Sequence, residues 1–274
     1  MVLAVCLAAH CRTRNADSLA IVKADWHVLQ CAKGITVKST NLTMFGAKQN
    51  ISVIVYDPRR FRTCVAVTDT LTLTTRMAQS RDADYAVNGS FFDFAGPALT
   101  LCKDGRRVVC DTPMQGKGRN NWGVLTADSI TGRVECFVPR NEDIGAICSR
   151  SHYVMASYPM LLVGGKSALE PCDTVQSKFN NRNPRTFMGI SRKGEVMLVV
   201  VDGRAEGNAE GMTLTEEVKL ARWMGMKTAL NLDGGGSSTL WTRRVGIVNC
   251  PTDNHRFDHE GERKVSNIVY LRRK

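Results

Sequence analysis

Lys227-Thr228-Ala229-Leu230-Asn231-Leu232 runs directly into Asp233-Gly234-Gly235-Gly236-Ser237-Ser238-Thr239. A short, largely apolar run stopped by a glycine cluster predicts a buried strand over 227–232. That strand delivers a carboxylate, Asp233, to its end. Three glycines then let the backbone pass through conformations closed to other residues. Consecutive N–H groups in such a turn form an anion-binding nest. Ser237, Ser238 and Thr239 add hydroxyl donors, so the loop suits a phosphate or a sugar hydroxyl. A glycine-rich turn alone is a weak signal. A strand, a carboxylate, three glycines and two serines in that order make a much more specific one.

Working outward, Leu214, Val218, Ala221 and Gly225 recur at helical spacing, which predicts a helix over 213–224 capped by Gly225. Phe187–Ser191 and Val196–Val201 flank Arg192-Lys193-Gly194-Glu195 and predict a hairpin. Its second strand is a continuous apolar run ending at Asp202-Gly203. Further strands are predicted at 160–163, at 122–125 and 134–138 around Thr131-Gly132, and at 83–87 running into Asn88-Gly89. Alternation at Ile51, Val53 and Val55, and again at Val65 and Val67, predicts strands near the start, with a short helix over 72–81. Ser266–Leu271 is a closing strand. The sum is an α+β fold of strand-rich mixed sheets with few helices. Residues 21–80 read as a strand-rich region packing on a main domain over 81–274.

The chain has 274 residues, enough for a large core, and ordinary hydrophobic (43%) and charged (23%) fractions. No stretch approaches the roughly 18 apolar residues of a membrane span. The net charge of +11 favours anionic partners. It is spread thinly, in short clusters such as Arg106-Arg107 and Arg272-Arg273-Lys274, and no zinc-finger or aromatic-basic RNA signature accompanies it. Nucleic acid is therefore not an expected partner. The apolar start MVLAVCLAAHC followed by RTRNADS reads as the end of an export signal, so residues 1–20 are a signal remnant or disordered. Export to the periplasm, the cell envelope or the medium is expected, and Cys6 or Cys11 is a candidate lipid-anchor position. The ten cysteines contain no CxxC pair, which argues against zinc and dithiol redox chemistry and fits a few disulfides in an exported protein. Cys102 and Cys110 flank Asp104-Gly105 and face each other across a predicted hairpin.

Three further strand ends carry chemistry. Asn88-Gly89-Ser90-Phe91-Phe92-Asp93 offers an amide that donates and accepts, suiting a sugar hydroxyl; Phe91 and Phe92 read as core. Asn183-Pro184-Arg185-Thr186 offers a guanidinium whose planar fork clamps phosphate. Asp202-Gly203-Arg204 adds a carboxylate and a second guanidinium. Carboxylates in different environments are how glycosidic bonds are protonated and attacked. Glu216 also fits a capping box with Thr213. His255 and His259 lie in a polar stretch rather than a ligand motif, so no metal ligands are assigned.

Together NGSFFD (88–93), NPRT (183–186), DGR (202–204), GMTLTE (211–216), NLDGGGSST (231–239), NCPTD (249–253) and ERKVSN (262–267) resemble the phosphodiester glycosidase family. The resemblance covers about Ala83 to Leu271. It implies an α+β catalytic domain over 81–274 and hydrolysis of a sugar-1-phosphodiester, as when N-acetylglucosamine is removed from a phosphomannosyl group. It implies that Asp93, Asp202, Glu216 and Asp233 are the catalytic carboxylates. Asn88, Gly89, Arg185, Thr186, Gly203, Arg204, Asn231, Gly234, Gly235, Gly236, Ser237, Ser238 and Arg263 would bind substrate, with Asn249 and Asp253 nearby. No cofactor is firmly implied, and the acidic residues leave room for a divalent cation. The chain departs from the family at Asn183, where His is usual, and at Cys250, where Ser or Tyr is usual. A bacterial envelope or gut-type homologue fits best. The competing classes are a non-catalytic carbohydrate-binding or envelope polysaccharide protein using the same cleft, and a metal-dependent phosphodiesterase.

Overall fold

The computed structural model describes residues 16–96, 98–105, 107–111, 121–139, 143–175 and 181–274. Residues 1–15 of the expected signal remnant, with Cys6 and Cys11, and Arg106 of the Arg106-Arg107 cluster lie outside the described residues, while residues 16–20 fall in the helix Ala16–Val22.

Three antiparallel sheets make the fold. The largest has eight strands in the order β1 (His27–Ala32), β2 (Ile35–Met44), β3 (Ala47–Tyr56), β14 (Val196–Val201), β13 (Arg185–Ser191), β15 (Met226–Asn231), β11 (Met160–Val163) and β12 (Lys166–Ser167). A five-stranded sheet runs β7 (Arg107–Cys110), β6 (Cys102–Asp104), β10 (Tyr153–Ser157), β8 (Gly123–Ala127) and β9 (Val134–Phe137). Another runs β17 (Gly246–Ile247), β16 (Leu240–Thr242), β5 (Tyr85–Asn88), β18 (Lys264–Arg273) and β4 (Phe61–Leu73). The α-helices among the described residues are α1 (Ala16–Val22), α2 (Thr74–Ser80), α3 (Ile144–Arg150), α4 (Pro171–Val175) and α5 (Leu214–Trp223). The strand-rich α+β expectation holds, and every ladder between these strands is antiparallel.

The apolar run of β14 is explained by its place at the centre of the large sheet. Val196, Leu198 and Val200 point into a core shared with the two smaller sheets. Met197, Val199 and Val201 alternate onto the opposite face, under α1 and α5. α5 contributes Leu214, Val218, Leu220 and Ala221 to that layer. Each large apolar side chain so buried contributes roughly 1.5–3 kcal/mol. Residues 27–73 are built into this frame: β3 pairs with β14, and β4 pairs with β18. The expected hairpin at 102–110 forms, with Cys102 opposite Cys110 and both thiols free.

The topology gathers one corner. Because β13 is antiparallel to β14 and β15, its first residue lies beside their last ones, with Arg185 opposite Val201. β5 ends there too, with Asn88 opposite Ile268 of β18. Four chain passages, 88–90, 183–186, 202–204 and 231–239, therefore leave the sheets at the same place.

Candidate active site

The corner is locked by main-chain bonds. Asp233 N–H donates to Gly89 O at 3.0 Å, Gly235 N–H to Pro184 O at 2.9 Å, and Gly89 N–H to Asn267 O at 2.9 Å. After β15 the glycine loop forms a single 3-10 turn over Gly235–Ser237. Gly235 adopts a φ of 63°, which L side chains adopt only with strain. Gly236 is required for space: a Cβ there would lie 2.3 Å from Asp253 Oδ1 and 2.6 Å from Arg263 Nη2.

Asn88 is fully buried and makes three side-chain hydrogen bonds. Its Nδ2 donates to Asp233 O at 2.6 Å, and its Oδ1 accepts from Thr186 Oγ1 at 2.8 Å and Thr239 N–H at 3.1 Å. Asn231 Nδ2 donates to Tyr158 O at 2.7 Å beneath the loop. Ser237, Ser238 and Thr239 are buried as well, so these hydroxyls sit under the loop rather than on its surface.

The four candidate carboxylates differ sharply in access. Asp202 is buried, with Oδ1 taken by Asn249 Nδ2 at 2.8 Å and Oδ2 by Asn50 Nδ2 at 2.8 Å and Cys250 N–H at 2.9 Å. Burial pushes its carboxyl up to about 6, against the pull of these donors. It ties the end of β14 to β3 and to the 249–250 segment. Glu216 completes the capping box of α5: Oε2 accepts from Thr213 N–H at 2.9 Å, while Oε1 accepts from Arg182 Nη2 at 2.8 Å. Asp93 is exposed and accepts from Ala95 N–H at 2.9 Å within its own turn. Asp233 lies within electrostatic reach of Arg263 and Arg204. Gly234 N–H donates to its Oδ1 at 2.9 Å. Burial raises its carboxyl to about 6, against the pull of Ser237 and Gly234 and, more weakly, of the Arg263 and Arg204 charges.

The arginines divide in the same way. Arg185 is buried on the α5 side, donating through Nε to Met212 O at 2.8 Å and through Nη2 to Asn181 O at 3.1 Å. Burial depresses its pKa, and Glu217 opposes that shift. Arg204 is exposed and reaches back over the loop; its Nη2 donates to Asn183 Oδ1 at 3.1 Å. A Cβ on Gly235 would lie 2.9 Å from that same Nη2. Arg263 Nε donates to Asp253 Oδ1 at 2.8 Å above Gly236. Two guanidinium groups thus flank the glycine loop next to Asp233, each held by a partner of its own. Gly203 belongs to the frame: a Cβ on it would meet Pro184 N at 2.7 Å.

Several residues that the motifs did not single out take part. Asn267 fixes the 89–90 turn by accepting from Ser90 N–H at 2.6 Å. Its only sequence signal was its place in the late ERKVSN run. Asn183 orients Arg204 through its Oδ1, which accepts from the guanidinium. Phe94 stands at the rim beside Arg263, at 5.5 Å. Glu217 is buried beneath α5, and nothing in the helix pattern distinguishes it from its capping neighbour. Among the described residues, no three His, Cys, Asp or Glu side chains converge as a metal-binding group. None of their helices is long and apolar enough to cross a membrane. Two cavities lie away from this corner. One of about 730 Å³ is lined by Asp128, Arg133, Glu135 and Arg150, and one of about 720 Å³ by Trp122, Lys166 and Glu170. Neither gathers the strand-end chemistry, and the site is an open rim.

Residues 81–272 match the phosphodiester glycosidase family. The chain is 36% identical over 189 residues to the N-acetylglucosamine-1-phosphodiester alpha-N-acetylglucosaminidase of Mus musculus, covering 64% of this chain and 33% of that one. It is 28% identical over 198 residues to the Homo sapiens protein of the same name, covering 66% and 35%. The chain thus spans about a third of the length of these curated relatives. Among solved structures, the zebrafish N-acetylglucosamine-1-phosphodiester alpha-N-acetylglucosaminidase catalytic domain, auto-inhibited by its pro-peptide, superposes with a TM-score of 0.68 at 19% identity, over 88% of this chain and 83% of that one. A hypothetical protein from Synechocystis superposes with a TM-score of 0.66 at 15% identity, over 91% and 64%. At these identities the two superpositions speak for the fold.

Proposed function

The chain belongs to the phosphodiester glycosidase family of hydrolases, and from that premise we propose that it hydrolyses a sugar-1-phosphodiester to free sugar and a phosphomonoester, with N-acetylglucosamine as the first candidate sugar. The observation that carries this reading is the pair of guanidinium groups, Arg204 beside Gly235 and Arg263 beside Gly236, that flank the glycine loop following Asp233. The two guanidinium groups hold the phosphate; the N–H groups of Gly234, Gly235, Ser237, Ser238 and Thr239 are taken by acceptors inside the fold, so the expected nest adds nothing from them. Positive charge at that position stabilises the phosphate as it leaves with the electron pair of the anomeric C–O bond. A phosphate monoester is already a good leaving group, so no carboxylic acid is needed to protonate it. Asp233 takes a proton from water, whose oxygen attacks the anomeric carbon. Asp202, Glu216 and Arg185 hold the frame through their internal partners. Attack by water on the face opposite the phosphate inverts the anomeric centre.

The test is turnover of UDP-N-acetylglucosamine and N-acetylglucosamine-phosphomannoside by the wild type and Asp233→Asn. Proton NMR reads the anomer first released, and heavy-oxygen water reads the bond broken. Label in the sugar with an inverted anomer, and no turnover by a folded Asp233→Asn, is the expected result. Sugar binding without turnover on a broad panel of phosphodiesters would point instead to a carbohydrate-binding protein. Export to the envelope or the medium belongs to the same proposal, supported by the apolar start; the eight cysteines among the described residues are free thiols and lend it no support.

A further inference from the structure

Asp93-Phe94-Ala95-Gly96 forms a tight turn at the rim of the site. Asp93 fastens it twice, accepting from Ala95 N–H at its side chain and from Gly96 N–H at its carbonyl, both at 2.9 Å. The turn presents Phe94 with 72% of its surface in water. A phenyl ring loses apolar burial by standing there. The ring is nonetheless held. Phe92 packs on it edge to face, with centroids 5.6 Å apart and planes at 67°. The Arg263 guanidinium carbon lies 5.5 Å from its centroid, within the range of a cation–π contact. Arg263 is also the guanidinium beside Gly236, in the loop that follows Asp233. An exposed aromatic ring with a fixed position therefore borders the phosphate seat.

We propose that Phe94 is the sugar-binding wall of the site: the pyranose lies with its C–H groups against the exposed surface of the ring while its 1-phosphate reaches Arg263 and Arg204. This rests on the reading of the site as one for sugar phosphodiesters. Aromatic walls beside a few placed polar groups are the usual make-up of small-ligand sites. The aromatic contributes dispersion and desolvation at low entropic cost, because only two side-chain torsions are fixed. The division of labour is specific. Phe94 reads the sugar, and the arginines read the phosphate.

The experiment compares wild type, Phe94→Ala and Phe94→Trp in steady-state hydrolysis of UDP-N-acetylglucosamine, with inorganic phosphate and N-acetylglucosamine-1-phosphate as inhibitors. Phe94→Ala is expected to raise KM about fivefold to tenfold with kcat within about twofold. It should weaken inhibition by the sugar phosphate by the same factor and leave inhibition by inorganic phosphate unchanged. Phe94→Trp should restore wild-type values. An unchanged KM and unchanged sugar-phosphate inhibition in Phe94→Ala overturn the proposal and leave the hydrolase reading standing. If the wild type hydrolyses nothing, the hydrolase reading falls, and NMR titration with the same two ligands decides about Phe94. Weaker sugar-phosphate binding by Phe94→Ala with equal inorganic phosphate binding supports the wall. Equal binding by both proteins, or none at millimolar concentration, overturns it.

Discussion

Asn88 Nδ2 donates to the carbonyl of Asp233 at 2.6 Å, and through that bond the end of β5 sets the position of a carboxylate that is 145 residues further along the chain. The same side chain accepts from Thr186 and Thr239, so one amide joins three of the four passages that form the site. Replacing it by alanine leaves two donors and an acceptor buried and unpaired. We expect Asn88→Ala to cost about 3 kcal/mol of stability and to lower turnover by more than the loss of folded protein accounts for. Urea denaturation run alongside assays on the folded fraction checks both parts. Full activity in the folded fraction would mean that Asp233 is positioned without Asn88.

Gly236→Ala tests the seat without touching a charged group. The new Cβ would sit against Asp253 Oδ1 and Arg263 Nη2, and the side chains would have to separate from the loop. Turnover is expected to fall by about a hundredfold, the scale set by a misplacement of about 1 Å, with a thermal midpoint close to wild type. An active Gly236→Ala protein would place the phosphate elsewhere.

The fold was legible where side-chain pattern and turn chemistry agree. The β13–β14 hairpin, β11, β15 and α5 lie where the apolar runs and glycines put them. α1, β1 and β2 were not legible. β1 carries mostly exposed and half-buried residues at the edge of its sheet, so its alternation is weak. β2 interleaves Lys38, Ser39, Thr40 and Asn41, with no sustained apolar run. The motifs did mark passages that the fold gathers at one corner, because strand-end glycines and carboxylates signal where the chain leaves a sheet. They carry no information on which way each side chain turns. Arg185 lies on the α5 side, and Arg204, with a φ of 61°, leans over the loop. Only register and pleat decide such directions.

The raised carboxyls of Asp233 and Glu217 predict different pH effects. Asp233 acts in its ionised form in the proposed mechanism, so kcat/KM should rise as pH increases through about 6. Arg204→Gln and Arg263→Gln each remove a cation that stabilises the carboxylate, so both should move that limb to higher pH. A limb that stays in place in both variants would assign it to another group, with Asp202 the first alternative because its carboxyl is also raised to about 6.

Glu216 and Glu217 are neighbours on α5 with opposite expectations. Glu216 closes the capping box, so Glu216→Ala should cost about 1 kcal/mol, while Glu216→Gln keeps turnover within a few-fold. A collapse of kcat in Glu216→Gln, with stability intact, would return this carboxylate to the chemistry.

Glu217 is buried among Leu214, Val218 and Ala221, with both carboxylate oxygens lacking a hydrogen-bond partner among the described residues. Burial lifts its carboxyl to about 8, and Arg185 opposes the shift. The folded protein therefore holds a proton that the unfolded chain releases near its ordinary value of 4.5. Below that pH both states are protonated and Glu217 has no effect on pH dependence. Between 4.5 and about 8 the unfolded state ionises alone, so stability falls as pH rises, by roughly 3 kcal/mol at pH 7. Above about 8 the penalty is constant. Glu217→Gln keeps the shape and removes the titration, so it should raise the thermal midpoint at pH 8 and match wild type near pH 4. Thermal unfolding of both proteins across that range measures the difference directly. Parallel curves would show that Glu217 is paired and charged in the folded protein.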